Sequence, residues 1–248
     1  VCRLRHMERI VSELVGPLAA PAVRELRAIA VTTISGTASI NGLSKALGND
    51  TDSQLLNALR VWSDVLLVGL NTVRSENYFG IQVNEQEKTA RRSNGQQEVP
   101  PVAVVSRSLD FDTTAQLFWN TEIAPLILTP AGTLNDAALA DRRAALEAAG
   151  ATLVDTGAGT AHEIVGALHA RGYSRVICEG GPGIYSMLFN ADLVDVFHLT
   201  VDPQVHGPVE KHLLSFRPDG TPFSHRMTLE DAHVTDDSVL FLRYRRVR

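Results

Sequence analysis

The chain has 248 residues, 44% hydrophobic and 21% charged, a composition that favours a globular domain with a substantial core over a disordered or fibrous chain. Its formal charge of -5 lacks the basic excess that phosphate neutralisation requires, so no nucleic-acid partner is expected. Apolar runs such as "VLLVGL" at 65–70 fall far short of the roughly 20 residues of a membrane span, and two cysteines make neither a disulfide framework nor a metal-ligand pattern; no membrane, no metal and a cytoplasmic setting are expected.

The opening "VCRLRHMERIVSELV" interrupts its apolar positions with Glu8 and Glu13, so it reads as an amphipathic helix within an N-terminal extension over 1–25 rather than as a secretory signal. "LRAIAVTTI" at 26–34 is rich in β-branched and aliphatic residues and predicts a strand, followed by a long Gly/Ser/Asn-containing loop. "DTDSQLLNALRVW" sets acids before Leu55, Leu56, Leu59 and Trp62 at helical spacing. "DVLLVGL" then has the near-continuous apolar character of a strand buried on both faces. The polar segment 84–101 predicts a mobile loop. Strands are expected at 101–106, 124–129, 151–156, 174–179 and 196–202, with helices ending at Gly150 and Gly172, and a closing antiparallel hairpin is formed by "MTLEDAHVT" and "SVLFLRYRR". This alternation predicts one α/β domain over 1–248, a mostly parallel sheet with helices on both faces.

No phosphate loop, dinucleotide Gly-x-Gly-x-x-Gly, Gly-x-Ser-x-Gly elbow or His-Glu-x-x-His occurs. The stretch "CEGGPGIYSML" at 178–188 instead places glycines at a strand's carboxyl end, the edge where open α/β sheets bind ligands. Read physically, it is either a tightly packed strand-to-helix turn or an anion site at a helix start. Glu179, a carboxylate ending a buried strand, should be paired or functional, because unpaired burial is costly.

Four blocks in order, "VTTISGTASINGLSKALGNDTDSQLLNALRVWSDVLLVGLNTVRSENYFG", "VVSRSLDFD", "VICEGGPGIYSMLF" and "FHLTVDPQVHG", resemble the reductase domain of bifunctional riboflavin-biosynthesis proteins. The resemblance spans about Arg27 to Gly207 and is greatest to stand-alone members, since the deaminase zinc motifs Pro-Cys-x-x-Cys and His-x-Glu are absent. It implies a dihydrofolate reductase-like three-layer α/β/α fold, NADPH as cofactor, a heterocyclic small-molecule substrate and a homodimer. Gly180, Gly181, Pro182, Gly183, Ile184, Tyr185 and Ser186 would hold the cofactor pyrophosphate, with a cis peptide at Gly180–Gly181. Thr32, Thr72 and Glu76 would add cofactor contacts, while Ser106 and Arg107 would face the adenosine 2′-phosphate, the reason for NADPH over NADH.

Ser44, Arg60 and Glu179 would contact the pyrimidine or its ribityl chain, although Arg60 also reads as a helix anchor paired with Asp64. Asp52 and Glu179 are the candidate catalytic acids. Asp52 matches the proton mediator of dihydrofolate reductases and equally a helix-start acid, which leaves a folate or dihydropteridine substrate as the enzymatic alternative. Two departures stand out: Ser35 replaces the family's Asp, and "NYFGIQV" lacks its phosphate-binding arginine, for which Arg91 or Arg92 would substitute. A cofactor-binding protein without catalysis is the alternative from another class.

Overall fold

The computed structural model describes residues 2–215 and 220–248. In chain order the elements are α1 (Cys2–Val15), β1 (Glu25–Thr33), α2 (Asp50–Trp62), β2 (Val65–Gly69), α3 (Leu70–Ser75), α4 (Glu85–Ser93), β3 (Val102–Val105) and α5 (Gln116–Trp119). There follow β4 (Leu126–Thr129), α6 (Ala131–Asn135), a 3-10 turn (Ala137–Leu139), α7 (Ala140–Ala148), β5 (Thr152–Asp155), α8 (Ala161–Ala170) and β6 (Arg175–Cys178). The chain closes with α9 (Pro182–Asn190), β7 (Val196–Asp202), β8 (Met227–Val234) and β9 (Leu240–Arg246).

One nine-stranded sheet runs in the order β5-β4-β3-β2-β6-β1-β7-β9-β8. The first seven strands in that order are mutually parallel, and β9 and β8 join antiparallel, as the expected hairpin requires. Alternation along β2 splits the core: Leu66 and Val68 face a layer containing Leu55, Leu59 and Val73, whereas Val65 and Leu67 face Ile164, Leu168, Ile184 and Leu188. This is the three-layer α/β/α arrangement anticipated from sequence. Among the described residues, no helix is long and apolar enough to cross a membrane.

The polar segment 84–101 departs from expectation. It carries α4, begun by a reciprocal capping box between Asn84 and Glu87, so its polarity reflects a solvated helix face rather than a structureless loop. Arg91 on this helix is 2% exposed and donates to the carbonyls of Val61, Ser63 and Gln97, while Arg92 pairs with Glu98. Burial holds Arg91 down at about 10. Arg91 is thus committed to α4's docking and Arg92 to a surface pair, and neither lines the sheet-edge cavity where a substitute phosphate ligand would be needed.

The N-terminal extension is built into the sheet. Arg27 is fully buried, stacks over Trp62 at 4.6 Å, pairs with Glu25 at 2.7 Å and donates to the carbonyls of Val15 and Pro17. Arg243 donates to the carbonyls of Glu13 and Leu14, so two strand arginines satisfy the carbonyls that the end of α1 leaves open. Gly16 permits this approach: its φ is +73° and a Cβ there would lie 2.3 Å from the Arg243 guanidinium.

Leu59, fully buried between α2 and the sheet, tests the packing assignment. Leu59→Ala is expected to cost about 2–5 kcal/mol of stability, measured by urea denaturation.

Candidate active site

β1 and the segments that follow β1, β2, β6 and β7 line a cavity of about 350 Å³. α2 forms one wall because its sequence is two-faced. Thr51, Leu55, Leu59 and Trp62 are buried, while Asp52, Ser53, Leu56, Asn57 and Arg60, spaced i, i+1, i+4, i+5 and i+8, line the cavity. Asn49 starts the helix by accepting from the Asp52 amide, and its Nδ2 reaches Thr235 and Asp237 in the β8–β9 turn.

At the floor, Arg60 grips Glu179 in a bidentate pair, Nε to Oε1 at 2.6 Å and Nη2 to Oε2 at 2.7 Å. Tyr78 donates to the same Oε2 at 2.6 Å. Burial would lower the Arg60 pKa, but the Glu179 charge overrides it and holds the guanidinium above its ordinary value. Burial, then the Glu179 charge, pushes Tyr78 well above the usual phenol range, so it remains a donor. The alternative Arg60–Asp64 pair is not formed. Asp64 instead accepts from the amides of Ser174 and Arg175 and from Gln96.

Asp52 faces the cavity half-buried, and the desolvation of its carboxyl is the largest cause of its raised pKa. Thr200 donates to its Oδ1 at 2.5 Å and opposes the rise, whereas the nearby Asp202 charge adds to it. A carboxyl in such a setting keeps its proton to higher pH than an exposed aspartate does.

The glycine turn supplies the opposite side. The Gly180–Gly181 peptide is cis, Gly180 has φ +84°, and Gly181 is the N-cap of α9 with no side-chain capping bond. A Cβ on Gly181 would sit 2.5 Å from the Thr72 hydroxyl, so only glycine leaves this cradle open. Thr72, Gly181 and Pro182 all line the cavity, which fits a dinucleotide's pyrophosphate at the positive end of α9.

The loops after β1 and β7 roof the cavity and are tied together. Ala38 donates to the Lys211 carbonyl, the amides of Glu210 and Lys211 reach the Thr37 hydroxyl, and Gly42 donates to Glu210. Ser35 belongs to this lacing: its hydroxyl donates to the His206 carbonyl and accepts from the His206 amide. It lies outside the cavity lining, as a latch between loops. The roof also reaches the cofactor side, where the Ser215 amide donates to the Ser186 hydroxyl at 2.8 Å.

Of the residues singled out from sequence, Ser44, Asp52, Arg60, Thr72 and Glu76 converge on the cavity, as do Glu179, Gly181, Pro182 and Tyr185. Glu76 accepts from the Ser44 amide at 2.7 Å and so braces the roof. Tyr185 donates to the Ile29 carbonyl beneath Gly180, and Ile184 is buried in the core. Thr32, Gly180, Gly183, Ile184 and Ser186 do not line the cavity; Thr32 donates to the Thr33 and Thr37 carbonyls. Ser106 accepts from the Leu109 amide, and Arg107 beside it is exposed, with no ion pair among the described residues. Sequence reasoning missed Tyr78, Asn57, Lys45, Lys211 and His212, all cavity residues. A phenol closely following the "NTVRSE" block was the available clue to Tyr78; the lysines sit in loops without a periodic signal.

The RibD C-terminal domain family matches residues 26–241. Among solved structures, a pyrimidine reductase-like protein from Corynebacterium diphtheriae is 31% identical, with a TM-score of 0.84 over 98% of this chain and 99% of that one. The deaminase/5-amino-6-(5-phosphoribosylamino)uracil reductase of Thermotoga maritima has the same fold at 15% identity and a TM-score of 0.65, covering 91% of this chain and 57% of that one. The riboflavin biosynthesis reductase Rib7 of Saccharomyces cerevisiae shares the fold at 13% identity, TM-score 0.60, over 98% of this chain and 99% of that one. A search of the curated proteins finds no match.

The floor triad predicts strong coupling. Arg60→Ala should destabilise the fold by about 3–5 kcal/mol by leaving Glu179 buried and unpaired. Adding Glu179→Gln should recover part of that loss in a double-mutant cycle read by urea denaturation.

Proposed function

The chain belongs to the RibD C-terminal domain family of reductases, and we propose that it is an NADPH-dependent reductase of a heterocyclic substrate, of the 5-amino-6-(5-phosphoribosylamino)uracil class. The observation that carries this reading is one cavity lined on one side by Gly181, Pro182 and Thr72 and on the other by Ser44, Asp52, Arg60 and Glu179. When bound, the cofactor supplies the hydride.

In this reading the cofactor's pyrophosphate is held by the start of α9 and Thr72. Its adenosine end crosses the neighbouring strand ends toward Arg107. β6, β2 and β3 are adjacent in the sheet, so the Gly181 turn and the β3 end lie two strand spacings apart, roughly 10 Å. Arg107 is free to take a 2′-phosphate, and Arg74 and Arg142, both beside Asp110, add positive charge to the same loop.

The substrate ring lies between the cofactor cradle and α2. Asp52 delivers the proton that accompanies reduction, and the Arg60–Glu179–Tyr78 floor fixes the ring's polar edge. Lys45 and Lys211 in the roof supply the charge for a substrate phosphate, replacing the arginine that "NYFGIQV" lacks, and His212 beside them adds a polar ring. A cytoplasmic homodimer accompanies this reading, with the open edge of β8 as its contact.

A folate or dihydropteridine substrate is the second reading, favoured by the half-buried Asp52 carboxyl bonded to Thr200. NADPH consumption tested with the pyrimidine and with dihydrofolate decides between them, and turnover of neither would sink both. Arg107→Ala is expected to raise the KM for NADPH about tenfold while leaving that for NADH unchanged. Asp52→Asn is expected to lower kcat on the productive substrate by about 10²-fold or more. The same variant should not lose thermal stability at neutral pH. Burial raises the folded Asp52 pKa, so above the unfolded value its ionisation opposes folding, and Asn lacks that cost.

A further inference from the structure

β7 turns an unusual face toward α2. His198, Thr200 and Asp202 alternate on its buried side, at 2%, 1% and 4% exposure, whereas the alternating buried positions of β2 are aliphatic. Thr200 engages Asp52 directly. Asp202, two residues further along the same face, accepts from the Gly48 amide with Oδ2 at 2.8 Å, and its Oδ1 has no hydrogen-bond partner. Gly48 bridges the two acids: its amide is bonded to Asp202, and a Cβ on it would lie 2.9 Å from Asp52 Oδ2. A buried carboxylate with an open oxygen is costly unless its charge has a use.

We propose that Asp202 is a positioning residue for proton delivery: from behind Gly48 and Thr200, its carboxylate holds the proton on Asp52 for transfer to substrate. This rests on Asp52 serving as the proton donor of the reaction. Hydride uptake at the carbon of a C=N bond leaves the nitrogen one proton short; Asp52 gives that proton and is reprotonated from water. Two carboxylates in one low-dielectric pocket do not both ionise readily, so the pair favours a protonated Asp52 facing the cavity.

The other groups around Asp52 do not cancel this effect. On α2, Asp50 is exposed and Arg60 is committed to Glu179. Glu76 and Tyr78 stand on the far wall, Lys45 and His212 are exposed in the roof, and Lys211 is half-buried there. Beyond the helix cap, Asp237 is bonded to Asn49. His198 lies further down β7, held neutral first by burial and then by Arg27, Arg243 and Arg245.

The test is the pH dependence of kcat in the full chain carrying Asp202→Asn, which keeps an acceptor for the Gly48 amide, with NADPH and whichever of the pyrimidine and dihydrofolate turns over. Asp52 must be protonated to act, so the rate falls as pH rises through its pKa. Removing the Asp202 charge should move that fall at least one pH unit lower, reducing the rate on the alkaline limb about tenfold. Thermal midpoint and the acid-side rate should change little. An unmoved limb in folded Asp202→Asn overturns the proposal.

Carbon-13 NMR titration of the Asp52 carboxyl gives a readout independent of turnover, in wild type, Asp202→Asn and Asp202→Ser. A lower Asp52 midpoint in either folded variant supports the proposal, and an unchanged midpoint refutes it. If Asp52→Asn retains full turnover, the donor role fails, while the titration still decides whether Asp202 governs Asp52.

Discussion

Glu179 carries a carboxylate at the end of a strand buried on both sides, and the surrounding elements are disposed to neutralise it. α2 brings Arg60 and the segment after α3 brings Tyr78, each bonding the carboxylate at 2.6 Å. Its own amide remains in the ladder, bonded to the Leu67 carbonyl. The ion pair therefore fixes α2 relative to the sheet. Because Asp52 lies eight residues from Arg60 along the same helix, roughly 12 Å of axial rise, anchoring one end sets the depth of the other in the cavity. The position of an acid on one side thus depends on a pair formed on the other.

The glycine turn follows Glu179 directly, so the same strand end divides two tasks. The side chain at 179 looks toward the α2 wall, and the backbone from Gly181 opens toward Thr72. A side chain at 181 would fill the space that a phosphate needs, and one at 180 would strike the Tyr185 ring at 2.6 Å. Tyr185 in turn is pinned to the Ile29 carbonyl of β1. Backbone openness here is supported by packing beneath it rather than by flexibility.

Much of the architecture was legible because its signals are local. β2 announced a doubly buried strand, α2 its spacing, and the closing hairpin its two alternating runs. The Gly-Gly-Pro-Gly turn and Glu179 pointed to the sheet edge for the same reason: burial and backbone freedom are written in residue types. Contacts across long sequence separations were not legible. For Arg60 the sequence offered Asp64, four residues away, as the alternative to substrate contact, whereas the carboxylate it pairs with is 119 residues distant. Arg91 read as a substitute phosphate ligand because composition does not reveal the three carbonyls to which it donates. Lys45 and Lys211 reach the cavity only because two irregular loops are laced together, which no periodicity encodes.

α1 is held to the sheet through main-chain carbonyls at Glu13, Leu14, Val15 and Pro17, all received by Arg27 and Arg243. Every residue type offers that acceptor. The strands thus recognise a helix terminus partly as a shape, and for these bonds the selective demand falls on the two arginines and on Gly16. Drift at the exposed Glu13 leaves the seam intact, whereas drift at Arg27 or Arg243 would unfasten it, and Leu14 and Val15 are held by burial in the core.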